Sequence, residues 1–349
     1  MGNETSLNKY MKAWSAAKLD RADIAATVEC IAATSIKLAK MIAHNSFNAC
    51  NSKPVTINSD GDAQKPLDIL AHHLFEDALR DAPVGLFTSE ESEEAILLDD
   101  HASLGVAIDP LDGSSNIDTN LSVGTIFSIF SFDPASKTPT RDLFLNKTGA
   151  DQVAAGFIVF GPQTTLVLTC REGTHIFALD HFKSEFFLVR ENIQIPAGER
   201  EFAINASNYH YWDNSVRTYV DDCIAGKAGP RGADFNMRWA ASLVAEAYRI
   251  FVRGGIFFYP RDARPGYENG RLRLLYEALP IALLVEQAGG AATDDEQRIL
   301  DQVVTELHQR VPLVFGSIDK VERVARYYAS PPIEENHYPL FTSRTLLRN

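Results

Sequence analysis

Positive charge is short in this chain: 33 lysines and arginines face 46 aspartates and glutamates, for a net charge of −13. A nucleic-acid or anionic-membrane surface needs a basic footprint, so the balance argues against both partners. It leaves room for phosphorylated small molecules, provided cations or local basic side chains neutralise them. Cysteine is also scarce. The four present, Cys30, Cys50, Cys170 and Cys223, are far apart and form no C-x-x-C pair. They read as reduced structural thiols of a cytoplasmic protein rather than as a disulfide framework. No apolar run approaches a membrane span, and no charged-then-apolar leader opens the sequence. Internal repeats and low-complexity tracts are lacking too. What remains is ordinary globular composition, 45% hydrophobic and 23% charged. The 349 residues suffice for one large α/β domain or two smaller ones.

Periodicity places the elements. "RADIAATVECIAATSIKLAKMIAH" (21–44) and "KPLDILAHHLFEDAL" (65–79) predict helices, joined by a polar, turn-rich connection. "PVGLFTSEE", "LGVAI", "VGTIFSIF", "VAAGFIVFG", "TTLVLTC", "THIFAL" and "SEFFLVR" predict strands. The pattern breaks at "ENIQIPAGER", which divides the chain into residues 1–195 and 196–349. In the second half, "MRWAASLVAEAYRIFV" predicts a helix, and "FAIN", "GGIFFYP" and "VPLVFGS" predict strands. "LRLLYEALPIALLVEQAGG" predicts an apolar helix kinked or interrupted by Pro280, and "KVERVARYYAS" a last helix. The mixed alternation points to layered α/β sheets.

The chemistry concentrates in "DPLDGSSN" (109–116), between two strands. In α/β folds, ligands gather at strand ends. Asp109 and Asp112 are hard oxygen ligands, the Leu111 carbonyl is another candidate, and Mg²⁺ favours such donors together with phosphate oxygens. Gly113 permits a tight turn, and the N–H groups of Gly113, Ser114 and Ser115 suit a phosphate. An Asp-Gly turn leading into a helix cap is the plainer alternative. Glu90 and Glu91 end the strand "VGLFT", which fixes them better than the following Glu93–Glu94 pair. Glu277 and Asp68 lie on predicted helices. Taken singly, each of these reads as a solvated face or a cap. His72 and His73, with no metal-ligand spacing seen around them, read as structural.

Taken together, "GDAQKPLDIL", "TSEE", "DPLDGSSNID", "SVGTIFSI", "VAAGFIVFG", "GGIFFYP", "GRLRLLYEA", "EQAGG" and "LHQR" make the chain resemble class I fructose-1,6-bisphosphatases over nearly its whole length. The resemblance implies a layered α-β-α-β-α sandwich of the sugar-phosphatase type, assembled as a homotetramer. It implies Mg²⁺-dependent removal of the 1-phosphate of fructose 1,6-bisphosphate, with Mn²⁺ able to substitute. Metal ligands would be Glu90, Glu91, Asp109, the Leu111 carbonyl, Asp112 and Glu277. Asp68 with Glu91 would activate the attacking water, and Asp62 would close over the metals from its loop.

By the same resemblance, the departing phosphate lies against Asp112, Gly113, Ser114, Ser115 and Arg273. The other end of the sugar meets Asn205, Tyr209, Tyr259, Arg271 and Arg238, the last from a neighbouring subunit. Arginine suits phosphate through its planar donor fork. Three departures stand out: Arg271 where the family has lysine, Trp239 for a tyrosine, and "NAS" for "NEG" at Asn205. They bear on sugar length, so sedoheptulose-1,7-bisphosphatase activity, alone or added, is the nearest alternative. Inositol monophosphatase fits less well, and a catalytically dead sugar-phosphate-binding regulator would be expected to have lost a metal carboxylate. The family's AMP site aligns here with Arg21-Ala22-Asp23, Ser103-Leu104 and Ser131, so both phosphate-binding cations and a tyrosine are missing. The expectation is an enzyme that AMP does not inhibit.

Overall fold

The computed structural model describes residues 5–49, 56–57, 63–64, 66–135 and 142–329. Its centre is an eight-stranded sheet. The strands run in spatial order Glu185–Arg190, His175–Asp180, Thr164–Thr169, Gln152–Phe160, Val123–Ser131, Leu104–Asp112, Leu86–Ser89 and Ile96–Leu97. Neighbours are antiparallel except Leu86–Ser89 and Leu104–Asp112, which run parallel. A second sheet of five strands has the order Asn236–Met237, Glu201–Ala203, Ile256–Tyr259, Leu313–Ser317 and Gly290–Thr293.

Helices cover both faces of each sheet, as side-chain alternation requires. On the strand Val123–Ser131, Val123, Phe127 and Ile129 join one core with Met11, Val28, Ile31 and Phe75 of the helices Leu7–Ser15, Ala22–Ala49 and Pro66–Leu79. Ile126 and Phe130 face the other way, into a core built on the helices Leu243–Arg253 and Leu279–Gln287. That core continues to Phe257 and Phe315 of the smaller sheet. Ile256 and Phe258 alternate outward and meet the helices Asn214–Ile224 and Ile318–Ala329. The stack is therefore α-β-α-β-α, the expected sandwich. Strands buried on both faces explain the continuous apolar runs in the sequence. No helix among the described residues is long and apolar enough to cross a membrane.

Some elements differ from expectation. The long second helix runs Ala22–Ala49, further than predicted. Three of its hydroxyls, on Thr27, Thr34 and Ser35, are satisfied by the carbonyl four residues back. The helix expected from Met237 begins only at Leu243, capped by Ser242. Before it, the Asn116 side-chain amide donates to the carbonyls of Ala240 and Ala241, and Ala241 takes φ +52°. These tertiary bonds hold the segment out of a helix.

Candidate active site

Register brings the carboxylates together. Because Leu86–Ser89 and Leu104–Asp112 run parallel, their C-terminal ends emerge side by side, with Ser89 opposite Ile108. The next residues are Glu90, whose N–H donates to the Ile108 carbonyl, and Asp109. Along a regular strand, Asp109 and Asp112 would face opposite sides. A bulge changes this. Asp109 pairs with Ile126 and Asp112 with Gly124, so the strand carries one extra residue. Both carboxylates then share a face. The bulge also accommodates Pro110, whose carbonyl accepts from the Thr125 hydroxyl at 2.9 Å. The Leu111 N–H donates to Asp109 Oδ1 at 3.0 Å. Gly113 leaves the strand at φ +71°, and the turn Ser114–Thr119 follows.

Two elements of the second half complete the cluster. Asp112 Oδ2 accepts from the Val244 N–H at 3.1 Å and the Ser242 hydroxyl at 3.3 Å, at the N-terminus of the helix Leu243–Arg253. Glu277 lies on a π-helical turn, Leu274–Ala278, which precedes the α-helix carrying Pro280 in its first turn. Its Oε2 accepts from the Arg273 N–H at 2.5 Å. Such single π turns recur at functional sites. Carboxylate oxygens of Asp109, Asp112 and Glu277 lie within 4.8 Å of one another, and all three residues are buried. The Arg273 guanidinium stands 3.3 Å from Glu90.

The electrostatics call for a cation. Burial, then the charges of Glu90, Asp112, Glu277 and Glu91, pushes the Asp109 carboxyl well above its ordinary range. Burial also raises Glu277, with Glu90 adding to it and Arg273 opposing. Asp112 is raised to about 6 by burial, and the helix N–H groups and Ser242 hold it down. An all-oxygen, mutually repelling, buried donor set fits a hard divalent ion.

The remaining candidates are spread more widely. Asp68 is buried in the first turn of a helix that packs on both parallel strands. Asp62 lies outside the described residues. Asn205 and Tyr259 line one small cavity with Trp239, Trp212 and Asp262. Arg271 donates to the Tyr267 hydroxyl at 2.8 Å, and its guanidinium sits 4.8 Å from that ring's centre. Tyr209 is not among the residues lining that cavity: its hydroxyl donates to both oxygens of Asp221. The half-exposed Arg238 lies 3.6 Å from the buried carboxylate of Glu201. Neither Ser242 nor the Val244 N–H stands out in the sequence, although Ser242 carries a signal, a hydroxyl residue directly before a periodic apolar run; Asn116 lies inside "DPLDGSSN" but has no role there that the sequence reveals.

Family models for the N-terminal and C-terminal domains of fructose-1-6-bisphosphatase match residues 11–191 and 195–329. The chain belongs to the fructose-1,6-bisphosphatase family. Among members, it is 50% identical over 328 residues to a fructose-1,6-bisphosphatase class 1 of Azorhizobium caulinodans, covering 93% of this chain and 100% of that one. It is 52% identical over 333 residues to the class 1 protein of Sinorhizobium medicae, covering 93% of each. A Leishmania major fructose-1,6-bisphosphatase crystal structure in holo form superposes with TM-score 0.86 at 32% identity, covering 94% of this chain and 99% of that one.

Proposed function

We propose that the protein is a phosphoric monoester hydrolase that removes the 1-phosphate of D-fructose 1,6-bisphosphate, yielding fructose 6-phosphate and phosphate. The observation that carries the reading is the buried trio Asp109, Asp112 and Glu277, its donor atoms within 4.8 Å, beside the Glu90–Arg273 pair. In this reading Glu90, Glu91, Asp109, Asp112, Glu277 and the Leu111 carbonyl hold Mg²⁺, for which Mn²⁺ can substitute. The metal supplies positive charge to the phosphate and acidity to water. Asp68 and Glu91 orient the attacking water and take its proton. The turn Gly113–Ser115 and Arg273 receive the departing phosphate. Asn205, Tyr259 and Arg271 hold the sugar's far end. Tyr209 joins them only if its hydroxyl leaves Asp221.

We also propose a tetramer in the cytoplasm, its first half (1–195) bearing most of the metal-binding carboxylates and its second (196–349) binding the sugar phosphate and adding Glu277 to the metal cluster. The half-exposed Arg238 beside Glu201 suits a side chain that reaches across a subunit interface. A phosphate-release assay on fructose 1,6-bisphosphate and sedoheptulose 1,7-bisphosphate tests the substrate. A larger kcat/KM for the six-carbon sugar, with fructose 6-phosphate as product, supports the reading. Turnover of the seven-carbon substrate alone overturns it.

A further inference from the structure

The helix Pro66–Leu79 carries a second group of ligand-type side chains. Donor atoms of His72, His73 and Glu76 lie within 4.8 Å of one another. Glu76 stands four residues after His72 and three after His73, a spacing that a purely structural role for the histidines does not require. Both spacings place side chains on one helix face. His72 Nε2 is 3.5 Å and His73 Nδ1 3.6 Å from the same carboxylate oxygen, Glu76 Oε2.

We propose that these three residues bind a zinc-type divalent cation, separate from the all-oxygen cluster. A tetrahedral ion with donors about 2.0–2.1 Å away spaces them roughly 3.3–3.5 Å apart. The two separations in the structure are already close to that. Arg80 pairs with the other oxygen of Glu76, Oε1, and so orients the carboxylate without occupying Oε2. His72 is buried against Phe87, with ring centres 5.6 Å apart. Its Nε2, not the buried Nδ1, faces Glu76 Oε2, so Nε2 is the atom that would ligate. Burial, and next the neighbouring His73, lower the pKa of His72, which favours the neutral form that ligates. The His73 side chain is 62% exposed, which leaves a solvent-facing side for entry and a fourth ligand. Two imidazoles and one carboxylate select zinc-type ions over Mg²⁺, the reverse of the oxygen-only cluster.

The test uses the full chain saturated with Mg²⁺, so that the oxygen cluster is occupied. Zn²⁺ is titrated by calorimetry, and the bound ion is examined by X-ray absorption. The expected result is one Zn²⁺ per chain that Mg²⁺ does not displace, with scattering from two imidazoles. His73→Ala and Glu76→Gln should each weaken it by about tenfold or more. Zn²⁺ should also raise the melting midpoint of the wild type and not that of His73→Ala. His73 is exposed, so its variant should fold as the wild type does, which circular dichroism checks. Unchanged Zn²⁺ affinity in folded His73→Ala, an oxygen-only coordination shell, or Zn²⁺ that Mg²⁺ displaces completely would overturn the site.

Discussion

Asp112→Asn keeps the side chain's volume and one acceptor oxygen, and removes its charge. The retained oxygen can still accept from the Val244 N–H and the Ser242 hydroxyl, so the fold survives. Without metal, the native carboxylate is a burden. Its pKa rises from 3.8 in the ordinary state to about 6 in the fold. A folded-state pKa above the unfolded one means that the folded protein holds the proton more tightly. The associated stability is present below about pH 4 and lost as pH rises through about 6. Keeping Asp112 ionised in the metal-free fold near neutral pH thus costs stability, on the order of a few kcal/mol shared with the neighbouring carboxylates. Metal-stripped Asp112→Asn should therefore melt a few degrees above metal-stripped wild type. Mg²⁺ should stabilise the wild type more and shrink or reverse that gap, because the carboxylate regains a counter-charge. Turnover in the variant should fall by at least about a hundredfold. Scanning calorimetry with and without Mg²⁺, beside a phosphate-release assay, reads all three effects. A metal-free variant that melts below wild type, or a Mg²⁺ response equal in both proteins, would refute the reasoning.

Gly124→Ala should destabilise by about 1–3 kcal/mol by overpacking. A Cβ there would stand 2.1 Å from the Ile158 carbonyl and 2.5 Å from Val244, against the strand position opposite Asp112; a melting midpoint equal to wild type would contradict the close approach. Arg271→Lys should change the preference between six- and seven-carbon bisphosphates, because it removes the donor fork now held at Tyr267; an unchanged ratio of kcat/KM values would show that Arg271 does not read the sugar. AMP should not inhibit. Two missing charged hydrogen bonds, each worth roughly 1.5–3 kcal/mol, weaken binding by about two to four orders of magnitude. Arg21 is no replacement, since it pairs with Glu172 and lies 4.4 Å over the Trp14 ring; saturable low-micromolar inhibition in an AMP titration at fixed Mg²⁺ and substrate would refute this.

The strands that carry the site were legible because burial on both faces writes them as apolar runs, and "DPLDGSSN" marks where one ends. The reason its aspartates share a face was not legible. It depends on a one-residue bulge, visible only once Asp109 is paired with Ile126 and Asp112 with Gly124. Glu277 was expected on a regular helix. The π turn that carries it arises where a two-residue strand meets an apolar helix with Pro280 in its first turn. The helix Leu7–Ser15 went unseen because it is short and is held by docking. Ser6 bridges to Phe187, and the Leu188 N–H donates to the Thr5 carbonyl, contacts that join opposite ends of the first half. Asp112's partners Ser242 and Val244 lie 130 and 132 residues away. Local pattern carries no trace of such pairings.

The central claim is that the buried carboxylates work only with a hard divalent cation among them. The most direct measurement is phosphate release from fructose 1,6-bisphosphate by chelator-treated protein, followed by titration with Mg²⁺. The stripped protein should show no turnover above background, and adding Mg²⁺ should restore it saturably. Asp109→Asn should shift that recovery to much higher Mg²⁺ or abolish it. Undiminished hydrolysis by stripped protein, or Asp109→Asn recovering at the same Mg²⁺ concentration as wild type, would contradict the claim.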